Sequence, residues 1–124
     1  METKPQATAT ESVSSRPTVR PAVDIYENQD ELLLVVDLPG VATENLAIDL
    51  DTDTLTIVGR RPDTIPEGAR VIAGSGFGWD FKRQFTVPSL IDRDRIKADL
   101  KDGVLEVHLP RSERSKPRRI SIGG

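Results

Sequence analysis

The sequence predicts an all-β domain, an antiparallel β-sandwich, and three observations carry that expectation. Apolar residues recur at period two, as in Leu32, Leu34, Val36 and Leu38 and again in Leu46, Ile48 and Leu50, a spacing that puts them on one face of a strand. Clusters that favour turns, such as Asn28-Gln29-Asp30, Thr52-Asp53 and Lys101-Asp102-Gly103, separate the runs. No segment reads as a helix, and Asp92-Arg93-Asp94-Arg95 offers a helical turn at most. Seven or eight short strands, each apolar on one face, bury those faces by stacking as two sheets.

The 124 residues suffice for one domain and one core. Residues 1–21 hold seven Ser or Thr, three Pro and no aromatic residue. Their apolar members follow no period, so they read as a disordered polar arm. The domain is expected over residues 22–110. Val23 and Ile25 form its first strand, and Leu32 to Leu38 the second, which Pro39-Gly40 ends. Leu46, Ile48 and Leu50 make a hairpin with Leu55 and Ile57 across Thr52-Asp53. Residues 61–78, with two Pro and four Gly, form a loop of the length that usually has a function. Within it, Arg70, Val71, Ile72 and Ala73 suit a short edge strand or an exchanged one. Trp79 to Val87 alternates again, with Phe81, Arg83, Phe85 and Val87 on one face, and Pro88 stops it. Ile96, Ala98 and Leu100 form the next strand, and Val104 to Leu109 returns before Pro110. Residues 111–124 are a tail.

Composition excludes several functions. Cysteine is absent, which removes disulfides, thiolate catalysis and Cys-ligated metals. The longest apolar run, Leu32 to Val36, is far short of the ~20 residues that span a bilayer. With no basic-then-apolar opening, the expectation is a cytoplasmic protein without a membrane partner. The net charge of −3 divides into +1 for residues 1–21, −8 for 22–110 and +4 for 111–124. An acidic body repels a polyphosphate, so no nucleic-acid partner is expected.

Candidate chemistry is sparse. His108, the single histidine, sits mid-strand with neither a nucleophile nor an orienting acid read beside it. Asp49, Asp51 and Asp53 open like a calcium loop, but Thr54 and Arg60 occupy the positions that need Gly and Glu. Gly74, Gly76 and Gly78 precede a strand, whereas a phosphate cradle needs a helix. An inward Arg83 requires a carboxylate or carbonyl partner within the fold. No catalytic residue, cofactor or metal site is therefore expected. The tail is different: Ile120-Ser121-Ile122 sets two apolar side chains on one face of a lone strand, which suits docking by strand-like addition.

On several stretches the chain resembles the small heat-shock proteins, which are built on an α-crystallin domain. The resemblance runs from about Ala22 to Leu109. It includes Val36-Asp37-Leu38-Pro39-Gly40-Val41, Leu55-Thr56-Ile57-Val58-Gly59-Arg60 and Phe81-Lys82-Arg83-Gln84-Phe85-Thr86-Val87-Pro88. The signature Ala98-x-x-x-x-Gly103-Val104-Leu105 is intact, and Ile120-x-Ile122 is a second match. The resemblance implies an immunoglobulin-like sandwich and an ATP-independent holdase that binds partly unfolded clients under stress. It implies a homodimer formed by exchange of the Arg70–Ala73 strand. It further implies higher oligomers, in which Ile120 and Ile122 enter a groove lined by Leu46, Ile48, Leu50, Ile96, Ala98 and Leu100. The competing reading is a co-chaperone-like adaptor that docks on one folded partner, remains monomeric and has no use for Ile120 and Ile122.

Overall fold

The computed structural model describes residues 16–115 and 120–123. Among them, eight strands form two four-stranded sheets. In chain order these are β1 (Thr18–Val19), β2 (Val23–Glu27), β3 (Glu31–Asp37), β4 (Leu46–Asp51), β5 (Thr54–Gly59), β6 (Asp80–Thr86), β7 (Lys97–Lys101) and β8 (Val104–Pro110). The first sheet has the order β1-β6-β5-β4 and the second β2-β3-β8-β7. Every pairing is antiparallel except that of β1 with β6.

The register places the apolar residues of neighbouring strands on the same face. Ile48 lies opposite Ile57 and Leu50 opposite Leu55, while Leu34 meets Val107 and Val36 meets Leu105. Leu34, Val36, Leu55, Ile57, Leu105 and Val107, with Leu38, Val41, Phe81, Val87, Ile91 and Leu109, form one core from which water is excluded, and Ile48 and Leu50 pack against it half-buried. Burial of each such side chain contributes roughly 1.5–3 kcal/mol. A slip of one residue would turn an entire strand inside out, which fixes the register.

Residues 20–22 alone join β1, at an edge of the first sheet, to β2, at an edge of the second. These two edges therefore lie together, and there Arg83 Nη1 of β6 donates to Pro21 O at 3.0 Å. A carbonyl is thus the partner that the inward arginine required. β4 and β7 are the edges of the opposite side.

The turns follow from their residues. Asn28 accepts from the backbone N–H groups of Asp30 and Glu31 at 2.7 and 2.9 Å and reverses the chain between β2 and β3. Between β7 and β8, Asp102 (φ 52°) and Gly103 (φ 78°) are both left-handed, as a two-residue hairpin turn requires. The helical turn expected near Asp92 is a 3-10 turn at Arg93–Arg95, where the Asp92 carboxylate accepts from Asp94 N at 3.2 Å.

Two expectations are corrected. The polar arm does not remain unpaired through Pro21, because Thr18 and Val19 add β1 to the start of β6 and Asp80 N donates to Pro17 O at 3.0 Å. Met1–Ser15 lie outside the described residues. Trp79 precedes β6 rather than opening it. In the single chain, Arg70–Ala73 forms no edge strand.

Gly103 is both left-handed and crowded: a Cβ there would stand 3.2 Å from Pro39 Cα. Gly103→Ala is expected to cost about 1–3 kcal/mol, read as a lower urea midpoint with unchanged slope; an unchanged midpoint would contradict this account of the turn.

Candidate functional site

Side-chain alternation on the edge strands determines what the open side of the sandwich presents. On β4, Leu46, Ile48 and Leu50 share the inner face and are half-buried, while Ala47, Asp49 and Asp51 point outward and are exposed. On β7, Ala98 and Leu100 lie opposite the buried Val107 and Leu105 and so face inward, with Ile96 just before them. Leu100 and Ile96 are half-buried and Ala98 is exposed. Each strand has a neighbour on one flank only, so all of these side chains but Ala98 pack against the core without being covered by it. The open side of the sandwich thus presents inward-facing apolar residues on two unpaired strand edges.

The signature residues divide between this open edge and the core. Ala98 belongs to β7, Gly103 makes the turn, Leu105 is fully buried and Val104 is exposed. Ile120 and Ile122 are 83% and 95% exposed, so neither is seated on its own chain.

The loop between β5 and β6 displays Ile65, Val71, Ile72 and Phe77, with Ile72 90% exposed. Its base, by contrast, is tied. Asp80, only 2% exposed, accepts from Arg61 N at 3.0 Å and lies 3.4 Å from Arg16 Nε. Arg16 Nη2 donates to the carbonyls of Arg61 and Trp79 at 3.2 and 3.0 Å. The Arg61 guanidinium stacks 4.0 Å over the Trp79 ring and donates to Gly76 O, while Trp79 Nε1 donates to Ser75 O at 2.6 Å. One buried carboxylate thereby gathers the end of the arm, the start of the loop and its return. Sequence reading missed this cluster. The available signal was an acid beside Trp79 and Phe81 at the start of an apolar strand, which demands a cation.

The remaining polar candidates assemble no reacting constellation. His108 Nδ1 lies 3.2 Å from Glu31 Oε2 and its Nε2 lies 3.5 Å from Glu106 Oε1. Two carboxylates therefore flank a ring for which the sequence reading found no acid; Glu31 comes from β3, beyond local view. Neither partner is a hydroxyl or a thiol, so the ring has no nucleophile to activate. Asp49 and Asp51 lie on the outer face of β4, with Asp53 in the turn that follows. Gly74 to Gly78 lie in the loop with a strand after them. The outer face of the first sheet is hollowed by about 790 Å³ over Ala47, Thr56 and Val58, with Glu44, Asp49, Arg60 and Lys82 among its lining residues.

A sandwich that holds apolar side chains at an open edge, with its polar groups engaged structurally, is the frame of a binding protein. A model of the Hsp20/alpha crystallin family matches residues 24–123. The 18 kDa antigen of Mycobacterium leprae is 35% identical over 109 residues, covering 88% of this chain and 72% of that protein. Heat shock protein 16 of Schizosaccharomyces pombe is 36% identical over 103 residues, covering 80% and 71%. Among solved structures, heat shock protein 16.0 of Schizosaccharomyces pombe superposes with a TM-score of 0.65 at 34% identity, over 85% of this chain and 99% of that one. A small heat-shock protein of Xylella fastidiosa gives 0.65 at 31% identity, over 86% and 99%.

The chain belongs to the Hsp20/alpha-crystallin family of small heat-shock proteins. Its members are non-enzymatic and typically ATP-independent chaperones that form oligomers and bind clients. Among the described residues, no helix is long and apolar enough to cross a membrane.

If Asp80 gathers the loop base, Asp80→Ala leaves Arg16 with only the Asp63 carboxylate, 3.6 Å from its Nη2, and the Arg61 N–H without an acceptor. The expected cost is about 1–3 kcal/mol, with faster tryptic cleavage after Arg70 than in the wild type. Equal cleavage rates would show that the loop is held by other contacts.

Proposed function

We propose that this chain is an ATP-independent holdase whose β4–β7 cleft receives apolar segments, either the Ile120-x-Ile122 tail of another copy or an unfolding client. The observation that carries this reading is the occurrence together of two unpaired strand edges with half-buried apolar residues and two exposed isoleucines at strand spacing. Exposed apolar strand edges capture other chains with exposed apolar segments, and a tail that covers such an edge holds it in reserve. Burying two isoleucines contributes about 3–6 kcal/mol gross, and ordering the tail offsets much of it. A single contact is therefore weak, and repetition in an assembly makes it strong.

The β5–β6 loop serves the dimer in this reading. β2 is an edge strand whose Ile25 and Tyr26 are 57% and 56% exposed. Val71 and Ile72 of a second copy supply the β-branched residues that pair with such an edge. The Arg70–Ala73 segment then becomes a strand only when a partner is present. The proposed setting is the cytoplasm, and the clients are proteins losing their fold under stress.

Heating an aggregating client enzyme with this protein at near-equal molar ratio, without nucleotide, tests the reading by light scattering. Suppression is the expected result; unsuppressed aggregation in the presence of the folded protein favours the single-partner adaptor instead. Ile120→Ala with Ile122→Ala should reduce the assembly to dimers in sedimentation velocity and leave the unfolding midpoint unchanged, whereas wild-type sedimentation would remove the docking role. Leu100→Asp puts an unpaired charge in the cleft at a cost of about 1–3 kcal/mol. Both assembly and client protection should fall, and wild-type values of both would displace the cleft from its assigned role.

A further inference from the structure

Charge is divided unevenly along this chain, and the division coincides with the two halves of the docking contact. Residues 41–59 hold four acids, Glu44, Asp49, Asp51 and Asp53, and no Lys or Arg. All four are exposed, and among the described residues none makes an ion pair. The bonds recorded for Asp51 and Asp53 come from the adjacent Thr52 and Thr54 hydroxyls at 3.5 and 3.4 Å. Across the sheet, Asp49 is followed by Thr56 and Gln84, and Asp51 by Thr54 and Thr86. The nearest basic residues on this face are Lys82, two positions along the strands and opposite Val58, and Arg60, whose N–H donates to Asn45 O beside Glu44. The β7 side is mixed, with Lys97 and Lys101 around Asp99. One rim of the cleft is therefore acidic and the other is not.

The tail carries the opposite charge. Arg111 is engaged by Glu27, Nη2 to Oε1 at 3.2 Å, and the sequence sets Arg114, Lys116, Arg118 and Arg119 in the six positions before Ile120. We propose that this basic run of one copy lies along the acidic β4 rim of another copy while Ile120 and Ile122 occupy the cleft, and that it sets the side from which the tail enters. The proposal rests on the docking reading above and adds its electrostatic component. The reach is adequate, since six extended residues span about 20 Å, the length of a six-residue strand such as β4. The arrangement also accounts for carboxylates on an edge strand that must accept one kind of partner: they repel a second acidic β4 edge and so discourage edge-to-edge pairing, while attracting a cationic segment.

A charge-swap experiment on the full chain tests this by sedimentation velocity over a dilution series. Asp49→Lys with Asp51→Lys should raise the concentration at which the assembly dissociates about tenfold at ~50 mM salt and much less at ~500 mM. Reversing two acids makes the body less negative, which on net charge alone would ease assembly, so weakening reports the local contact. Arg118→Glu with Arg119→Glu should weaken assembly similarly, and the four changes together should restore it to within about threefold of wild type. Purely additive losses in the combined variant, or no loss in either reversal while Ile120→Ala with Ile122→Ala still dissociates the assembly, would overturn the electrostatic contact and leave cleft docking intact. An assembly unaffected by the isoleucine substitutions would overturn both.

Discussion

Burial of the inner faces of β3, β5 and β8 is the contact on which the rest of the structure depends. Their residues Leu34, Val36, Leu55, Ile57, Leu105 and Val107 are almost wholly excluded from water because each strand is flanked by neighbours and faced by the opposite sheet. A sandwich of four strands per sheet has no material left to cover its edges in the same way. Their inner residues carry the same apolar alternation but are only half-buried. The stability of the centre and the stickiness of the edges thus have one origin, a period-two pattern that does not stop where the neighbours stop.

The two sides of the sandwich resolve this differently. On one, the short link between β1 and β2 brings chain across the opening, and Arg83 spans it to a carbonyl. The adjacent loop is fastened at its base through Asp80, Arg16 and Arg61, while its apolar tip remains exposed. On the other side, β4 and β7 have only their own chemistry to protect them: carboxylates outward on β4, small Ala98 and half-buried Leu100 on β7. An edge kept open but charged remains available to partners of the right sign and discourages copies of itself. Function in this account comes from incomplete burial rather than from an arranged set of reacting groups.

Much of this was legible in the sequence. The strands were visible because each has one buried and one solvated face, which imposes strict alternation. The β7–β8 turn was visible because Asp-Gly is among the few pairs that tolerate two left-handed residues. The six residues that the resemblance names as a groove fall on β4, on β7 or just before β7. What escaped the reading is non-local. β1 is two residues long and exists because β6 offers Asp80 and Phe81, some sixty positions away, to pair with. The buried role of Asp80 depends on Arg16 and Arg61 arriving from other segments, and the flanking of His108 by Glu31 depends on β3 lying beside β8. Val71 and Ile72 carry strand propensity, but propensity without an edge to pair with yields no strand in a single chain.

The central claim is that the β4–β7 cleft is covered by the tail in the assembled protein. Amide hydrogen exchange of the full chain against its Ile120→Ala, Ile122→Ala variant tests it most directly. The account predicts that amides of residues 46–51 and 97–101 exchange slowly in the wild type and lose that protection in the variant, with β5 and β8 unchanged. Equal protection of both edge strands in the two proteins would contradict it.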